Sequence, residues 1–379
     1  MKDHSLEVHG CHTYDATGAI SPSICLSATF RHPRFGESTG YDYGRVANPT
    51  RESLEKTVAL LERGGRSWAL SSGMAAVQLV FSLLSAGDHV LMSEDLYGGT
   101  VRLAEEVFAD YGITFEYVDV RDLALVGKRM RPETKLVFIE TPSNPMMQIS
   151  DIAALSALAH ENGALLAVDN TFLSPHFQKP LTLGADIVLH SGTKYLCGHN
   201  DVIAGFLVLK DATSAQAKRI ELLAKSAGPN LSALDSWLML RSIKTLGVRV
   251  ERQAENALAI ARWLGTLPEV TEVLYPGLAG HPGYALQQKQ ASGAGGMISF
   301  KVRSAELAKA ALGKLHLIAF AESLGGVETL LTYPIAQTHA EMPAALLKRT
   351  GLDDKLLRLS VGIEDVEDLK ADLQQALQG

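Results

Sequence analysis

From residue 49 onward, apolar positions along this chain switch repeatedly between helical spacing and short continuous runs. Leu54, Val58 and Leu61 repeat at helical spacing behind Asn48-Pro49-Thr50, which predicts a helix capped by Thr50. Ser67 to Leu70 reads as a short strand. Ser72-Gly73-Met74 then leads into a helical stretch from Ala75 to Leu84. The alternation continues with a strand at His89 to Met92, a helix around Val101 to Tyr111, and strands at Thr114 to Val118 and Lys135 to Ile139. A helix from Ile152 to Glu161 precedes strands at Ala164 to Val168 and Asp186 to Leu189. Several of these strands are apolar throughout, as expected when helices cover both faces of a sheet. The order βαβα predicts an α/β fold with a mostly parallel, doubly wound central sheet.

The texture differs at both ends. Residues 1 to 48 lack periodicity and are rich in Gly, Ser, Thr and Pro, the pattern of an extended arm that packs on another body, a partner subunit among the candidates. Beyond residue 244 a long helix, Gly247 to Leu267, precedes the loop Tyr275-Pro276-Gly277-Leu278. Strands near Met297 to Val302 and Leu317 to Phe320 and a closing helix from Val366 to Leu377 make a smaller α/β unit. The expected division is therefore an arm (1–48), a large domain (49–244) and a C-terminal domain (245–379).

Composition narrows the function classes. The chain has 379 residues, 46% hydrophobic and 20% charged, with net charge −7 and no polybasic run, which argues against a nucleic-acid surface. No apolar stretch approaches the roughly 18 residues that span a bilayer, and the start lacks the apolar core of a signal peptide. Three cysteines at unrelated spacings fit a reducing compartment, and a cytoplasmic protein is expected. Twelve histidines occur without a His-Glu-x-x-His helix or a Cys/His cluster, so no metal site is predicted.

Candidate chemistry gathers where strands end, the place where doubly wound sheets bind ligands. Ser72-Gly73-Met74 could present backbone N–H groups to a phosphate. Tyr97, in Asp95-Leu96-Tyr97-Gly98-Gly99-Thr100, could stack on a planar ring, and Asn144, between prolines, could hydrogen-bond a phenolic oxygen or simply form an Asx turn. Leu165 to Val168 ends on Asp169. His190-Ser191-Gly192-Thr193-Lys194-Tyr195 places a lysine among hydroxyls. Singly, Lys194 reads as a solvated lysine and Asp169 as a strand end. Together they supply what pyridoxal phosphate needs, a lysine for its aldehyde and a carboxylate for its pyridine nitrogen. Desolvation beside cations would let Lys194 carry a proton. Arg358, on the apolar run Leu356 to Val361, requires a carboxylate partner, internal or from a substrate.

The combination of Tyr43-Gly44-Arg45, Asn48-Pro49-Thr50, Ser72-Gly73-Met74, Leu96-Tyr97-Gly98-Gly99-Thr100, Pro142-Ser143-Asn144-Pro145, Val168-Asp169-Asn170-Thr171 and Thr193-Lys194-Tyr195 resembles the Cys/Met-metabolism group of pyridoxal phosphate enzymes over essentially the whole chain. That group includes cystathionine γ-synthase, cystathionine γ-lyase, cystathionine β-lyase, O-acylhomoserine sulfhydrylase and methionine γ-lyase. The resemblance implies an aspartate aminotransferase-like fold (pyridoxal phosphate fold type I) and pyridoxal 5'-phosphate as cofactor. Lys194 is then the lysine that holds the cofactor, Asp169 pairs with its pyridine nitrogen, and Tyr97 stacks on its ring. Gly73, Met74, Ser191 and Thr193 hold the phosphate, with Tyr43 and Arg45 reaching it from a neighbouring subunit. Asn144 approaches the 3-hydroxyl, and Arg358 with Ser323 receives the amino-acid carboxylate. A homotetramer of two active dimers is implied. Gly192 departs from the alanine usual in relatives.

Glu322 discriminates within the group. Without the resemblance it reads as a surface acid; relatives acting at the γ-carbon have a glutamate facing the distal polar end of the substrate. One subgroup of β-lyases carries tyrosine there and methionine γ-lyases an apolar residue. Methionine γ-lyases also have cysteine where this chain has Gly99. The stretch Leu331 to His339 resembles bacterial synthases and thiolyases more than lyases. The expectation is γ-replacement on an O-acylhomoserine by cysteine or sulfide. Elimination of cystathionine to cysteine, 2-oxobutanoate and ammonia is the alternative, and a non-enzymatic cofactor-binding relative is the reading from another class. Tyr97 is expected to be a second proton carrier.

Overall fold

The computed structural model describes residues 1–11 and 16–378; residues 12–15 of the arm and the C-terminal residue lie outside them. Its large sheet has seven strands: β1 (Arg66–Leu70), β2 (His89–Ser93), β3 (Thr114–Val118), β4 (Thr134–Glu140), β5 (Leu165–Asp169), β6 (Ile187–Ser191) and β7 (Gly205–Leu209), in the order β1-β7-β6-β5-β4-β2-β3. β6, β5, β4, β2 and β3 run parallel. β7 is antiparallel to both of its neighbours, so β1 keeps the direction of the parallel set. The continuous apolar runs have the predicted cause. On β4, Val137 and Ile139 join one buried cluster while Leu136 and Phe138 join another on the opposite face.

A second sheet is built from β8 (Val270–Leu274), β9 (Met297–Val302), β10 (Ala319–Phe320), β11 (Leu330–Thr332) and β12 (Leu356–Ser360), ordered β10-β11-β12-β9-β8. It packs on a third apolar cluster that includes Ile260, Phe300, Leu357, Leu359 and Leu373. The helix Leu246–Leu264 contributes residues such as Ile260 and Leu264 to that cluster.

Several local expectations are corrected. The cap of the helix Pro49–Leu61 is Asn48, whose side chain accepts from the backbone N–H of Thr50 and Arg51; Pro49 fills the first turn, where a missing N–H costs nothing. The helix expected at Val101 to Tyr111 begins at Gly98 and passes through a π segment, Ala104–Phe108, into a 3₁₀ turn, Ala109–Tyr111. The strand expected at Leu317 to Phe320 contracts to Ala319–Phe320, because the N–H groups of His316, Leu317 and Ile318 bind the Asp372 carboxylate instead of a neighbouring strand. The arm is not wholly extended, since Asp3–His9 is helical. β7 and the helices Ala215–Ala227 and Ala233–Ile243 were not anticipated. Among the described residues no helix is long and apolar enough to cross a membrane.

Candidate active site

The carboxyl ends of β6, β5, β4 and β2, four adjacent strands, deliver Lys194, Asp169, Asn144 and Tyr97 to one cavity of about 280 Å³. Gly73 and Met74 line it from the turn after β1, and Glu322, Ser323 and Arg358 line it from the second sheet. Ser191 and Thr193 complete the predicted set. Tyr43 and Arg45 do not reach this cavity. They lie on another surface beside Asn48 and Asn230, with the Arg45 guanidinium donating to the carbonyl of Lys225.

Ser72 caps the helix Gly73–Phe81 by accepting from the N–H of Ala75 at 3.0 Å, which leaves the first N–H groups of that helix at the cavity wall. Gly73 is required there. A Cβ would fall 2.9 Å from both Cα and Cβ of Ser191. Gly73 thus lets this turn pack directly on β6, and both line the cavity beside the helix N-terminus, a position suited to an anion. Gly192 is explained as well, since a Cβ would lie 2.6 Å from the ring of Phe206. The Thr193 hydroxyl bridges to Ala204, accepting from its N–H at 3.0 Å and donating to its carbonyl at 3.3 Å.

Asp169 accepts from the N–H of Thr171 at 2.9 Å and from its hydroxyl at 2.5 Å, both on Oδ1. Burial raises its pKa, outweighing the two Thr171 bonds and the pull of His190 that oppose it. Glu140, facing Asp169 across β4 and β5, has its carboxyl raised further, by burial and then by Asp169 and Asp95; its Oε2 accepts the Tyr97 N–H at 3.0 Å. Lys194 Nζ donates to Ser323 Oγ at 2.8 Å, and burial, followed by the nearby positive charge of Arg358, lowers its pKa to about 8.

Arg358 is 1% exposed on central strand β12. One Nη donates to Asn144 Oδ1 at 2.7 Å, the other to the Ser323 carbonyl and Thr332 Oγ1 at 3.3 Å, and Nε has no partner among the described residues. All its acceptors are neutral. Ser323 adopts φ 88°, a left-handed conformation from which its hydroxyl faces Lys194 while its carbonyl faces Arg358.

The cavity thus offers a buried carboxyl with raised pKa, a guanidinium with only neutral acceptors, a lysine with lowered pKa and a helix N-terminus on its wall. Pyridoxal phosphate with an amino-acid substrate fits this donor set. The phosphate suits the Ser72-Gly73-Met74 turn, the pyridinium suits Asp169, the aldehyde suits Lys194, and Arg358 is left for the substrate carboxylate. Tyr97, partly exposed, stands at the N-cap position of the short helix Gly98–Leu103, and its side chain makes no capping bond. Gly99 leaves space for its ring, since a Cβ there would meet the ring at 2.5 Å.

Sequence reasoning missed the polar layer beneath these residues. Glu62 and His190, both buried, bond through Glu62 Oε1 and His190 Nε2 at 2.6 Å, and Glu62 also accepts from Asn170 at 2.9 Å. Gln178 links Asn170 to the Thr141 carbonyl at 3.0 Å each, so the ends of β4, β5 and β6 are tied together. Asp95 accepts from the Ser143 hydroxyl and, at 3.1 Å, from the Met146 N–H, which fixes the Asn144 loop to the Tyr97 loop. Arg249 donates to the Tyr195 carbonyl at 2.9 Å and steadies the turn after Lys194.

A sequence profile of the "Cys/Met metabolism PLP-dependent enzyme" family matches residues 4–378. A cystathionine gamma-lyase of Bacillus subtilis (strain 168) is 47% identical over all 379 residues, with both chains fully covered. A cystathionine gamma-synthase/O-acetylhomoserine (thiol)-lyase of the same organism is 46% identical, covering 96% of this chain and 92% of the relative. The crystal structure of a cystathionine gamma-lyase from Lactobacillus plantarum, complexed with L-serine, superposes with TM-score 0.96 at 42% identity, over 100% of this chain and 99% of that one.

Proposed function

Because this chain belongs to the Cys/Met-metabolism family of PLP-dependent enzymes, we propose that it catalyses γ-replacement, joining cysteine to an O-acylhomoserine to give cystathionine and accepting sulfide to give homocysteine. The observation that carries this reading is the pair Arg358 and Glu322 in one cavity with Lys194. A buried guanidinium with neutral partners holds an α-carboxylate, and a carboxylate elsewhere on the wall receives the ammonium of a second amino acid.

Pyridoxal phosphate, when bound, supplies an electron sink that stabilises negative charge at Cα. The protein supplies the rest. Asp169 holds the pyridine nitrogen charged, the turn Ser72-Gly73-Met74 with Ser191 and Thr193 holds the phosphate, and Asn144 approaches the 3-hydroxyl while it buttresses Arg358. Lys194, with a pKa of about 8, is partly neutral near physiological pH and takes up the Cα proton at Nζ. Ser323 positions that amine and receives the substrate carboxylate together with Arg358. The Tyr97 hydroxyl is the second proton carrier, and its ring covers the cofactor. Glu322 faces the distal polar end of the substrate, where an apolar terminus such as that of methionine would leave it unpaired.

The arm is read as an assembly element. Tyr43 and Arg45 lie away from their own cavity, which supports their reaching a neighbour's phosphate in a homotetramer of two active dimers.

Cleavage of cystathionine to cysteine, 2-oxobutanoate and ammonia is the second reading. It is favoured by the name of the relative that matches all 379 residues. Incubating O-acetylhomoserine, O-succinylhomoserine and cystathionine separately, with and without cysteine, decides between them. Cysteine-dependent formation of cystathionine supports replacement; consumption of cystathionine alone, with release of 2-oxobutanoate, sinks it.

A further inference from the structure

Outside the cavity, one group of ligand-type side chains takes no part in the proposed reaction. His4 sits on the helix Asp3–His9, His176 on the short helix Ser174–Phe177, and Glu251 on the helix Leu246–Leu264. One ligand atom from each lies within 4.8 Å of the others. Nε2 of His4 and Nε2 of His176 both stand 3.4 Å from the same atom, Oε1 of Glu251. That spacing is long for a hydrogen bond, which favours roughly 2.7–3.2 Å. These two spacings match two edges of a tetrahedral site, since ligand bonds of about 2.0–2.1 Å place neighbouring donors about 3.3–3.4 Å apart.

The surroundings are ordered for the same purpose. Glu7, 3% exposed, accepts from Nδ1 of His176 at 2.7 Å through Oε1. Its Oε2 lies 3.7 Å from Nδ1 of His4 and accepts the Gly247 N–H at 3.1 Å. With Nδ1 of His176 committed to Glu7, Nε2 is the ring nitrogen left facing Glu251; a carboxylate behind a histidine is the usual orienting partner of a metal-bound ring. Gly247 leaves the needed space, because a Cβ there would fall 2.6 Å from Glu7 Oε2 and 2.8 Å from His4 Nδ1.

We propose that His4, His176 and Glu251 form a site for a divalent transition cation of the zinc class, with water in the fourth position and Glu7 orienting the His176 imidazole. Two imidazoles and one carboxylate suit such an ion, whereas calcium or magnesium would want oxygen alone. The ion fastens the arm's helix and the His176 segment to the beginning of the helix Leu246–Leu264. No linear motif announces the site, because its ligands come from three distant segments; this is why the sequence alone predicts no metal.

The test uses tag-free holoenzyme and Zn²⁺ as the probe. Calorimetric titration is expected to show one more Zn²⁺ bound per subunit in the unsubstituted protein than in His4→Gln or Glu251→Gln, whose positions are exposed enough to tolerate change. Saturating Zn²⁺ raises the Tm of the unsubstituted protein by about 2 °C or more and leaves both variants unmoved, with turnover the same in all three. Glu7→Gln weakens binding about 10-fold or more. Equal zinc stoichiometry and equal Tm response in the unsubstituted protein and the two ligand variants would overturn the site; undiminished affinity in Glu7→Gln would remove Glu7 from it.

Discussion

Replacing Arg358 by methionine should separate activity from stability. In the free protein the guanidinium is buried among neutral acceptors, and burial lowers its pKa to about 10 despite Glu140, Tyr195 and Glu322, which pull it back up. A fall of that size from 12.5 corresponds to a charge held at a cost on the order of 3 kcal/mol. Methionine removes that cost and fills much of the same volume. Against it stand two acceptors that lose their donor, Asn144 Oδ1 and, through a longer 3.3 Å bond, the Ser323 carbonyl, together at roughly 2–4 kcal/mol; Thr332 keeps its bond to the Ala321 carbonyl. The two effects nearly cancel, so Tm should stay within about 5 °C of the unsubstituted protein. Activity should behave very differently. Two charge-assisted bonds to a substrate carboxylate, at roughly 1.5–3 kcal/mol each, amount to about 10²–10⁴-fold in kcat/KM. Thermal unfolding of the holoenzyme beside steady-state kinetics on O-acylhomoserine reads both quantities. A variant within about 10-fold of the original kcat/KM, or one whose Tm drops by more than about 10 °C, would refute the assignment of Arg358 to the substrate.

Three further outcomes are expected. Lys194 titrates near 8 in the folded protein and at 10.5 when unfolded, so its ammonium is charged in both states below pH 8 and burial then opposes folding in full. Between pH 8 and 10.5 only the unfolded chain keeps the proton. Stability of the cofactor-free protein should therefore rise through that window, by at most about 3 kcal/mol, and Lys194→Met should flatten the rise in denaturant titrations; identical pH profiles would count against the lowered pKa. Glu322→Ala should reduce cystathionine formation from cysteine about 10-fold or more while leaving simple β-elimination nearly intact, and equal losses in both assays would contradict its role at the distal ammonium. If Arg45 serves a neighbour's cavity, mixing Lys194→Ala subunits with Arg45→Ala subunits should regenerate a native site in each mixed dimer and restore activity lost in the parents; mixtures no more active than either parent would place Arg45 elsewhere.

The parts of the site legible in the sequence are those whose signal is local. Lys194, Asp169, Asn144 and Tyr97 each follow an apolar run, and runs such as Leu136 to Ile139 are buried on both sides because helices cover both sheet faces. β7 escaped notice although Gly205–Leu209 is just as apolar, since an antiparallel strand between β1 and β6 has no mark in the order of elements. The helices Ala215–Ala227 and Ala233–Ile243 did carry signals, the caps Ser214 and Ser232. Glu62 carried none. At the end of the helix Pro49–Leu61 it resembles any polar terminus, and only the fold sets it against His190 and Asn170. The same holds for Asp95, whose partners Ser143 and Met146 belong to the loop after another strand.

The two sheets also divide the chemistry, and that division explains why overall identity fails to specify the reaction. Lys194, Asp169, Asn144, Tyr97 and the Ser72-Gly73-Met74 turn all come from the large sheet, and in the proposed function they hold the cofactor. Arg358, Ser323 and Glu322 come from the second sheet and its loops and line the same cavity, where the proposed reaction places the substrate. Residues of the first kind are constrained by one cofactor, and those of the second by whichever substrate is used. Relatives named for lyase and synthase activities can therefore stand at 47% and 46% identity to this chain without either figure choosing between them. The choice falls to a few side chains around Ser323, where the left-handed turn that binds Lys194 and Arg358 also sets the position of Glu322. On the proposed function, a change in that turn would alter proton transfer and substrate preference together, so new specificities should arise by exchanging Glu322 while Ser323 and its backbone conformation are kept.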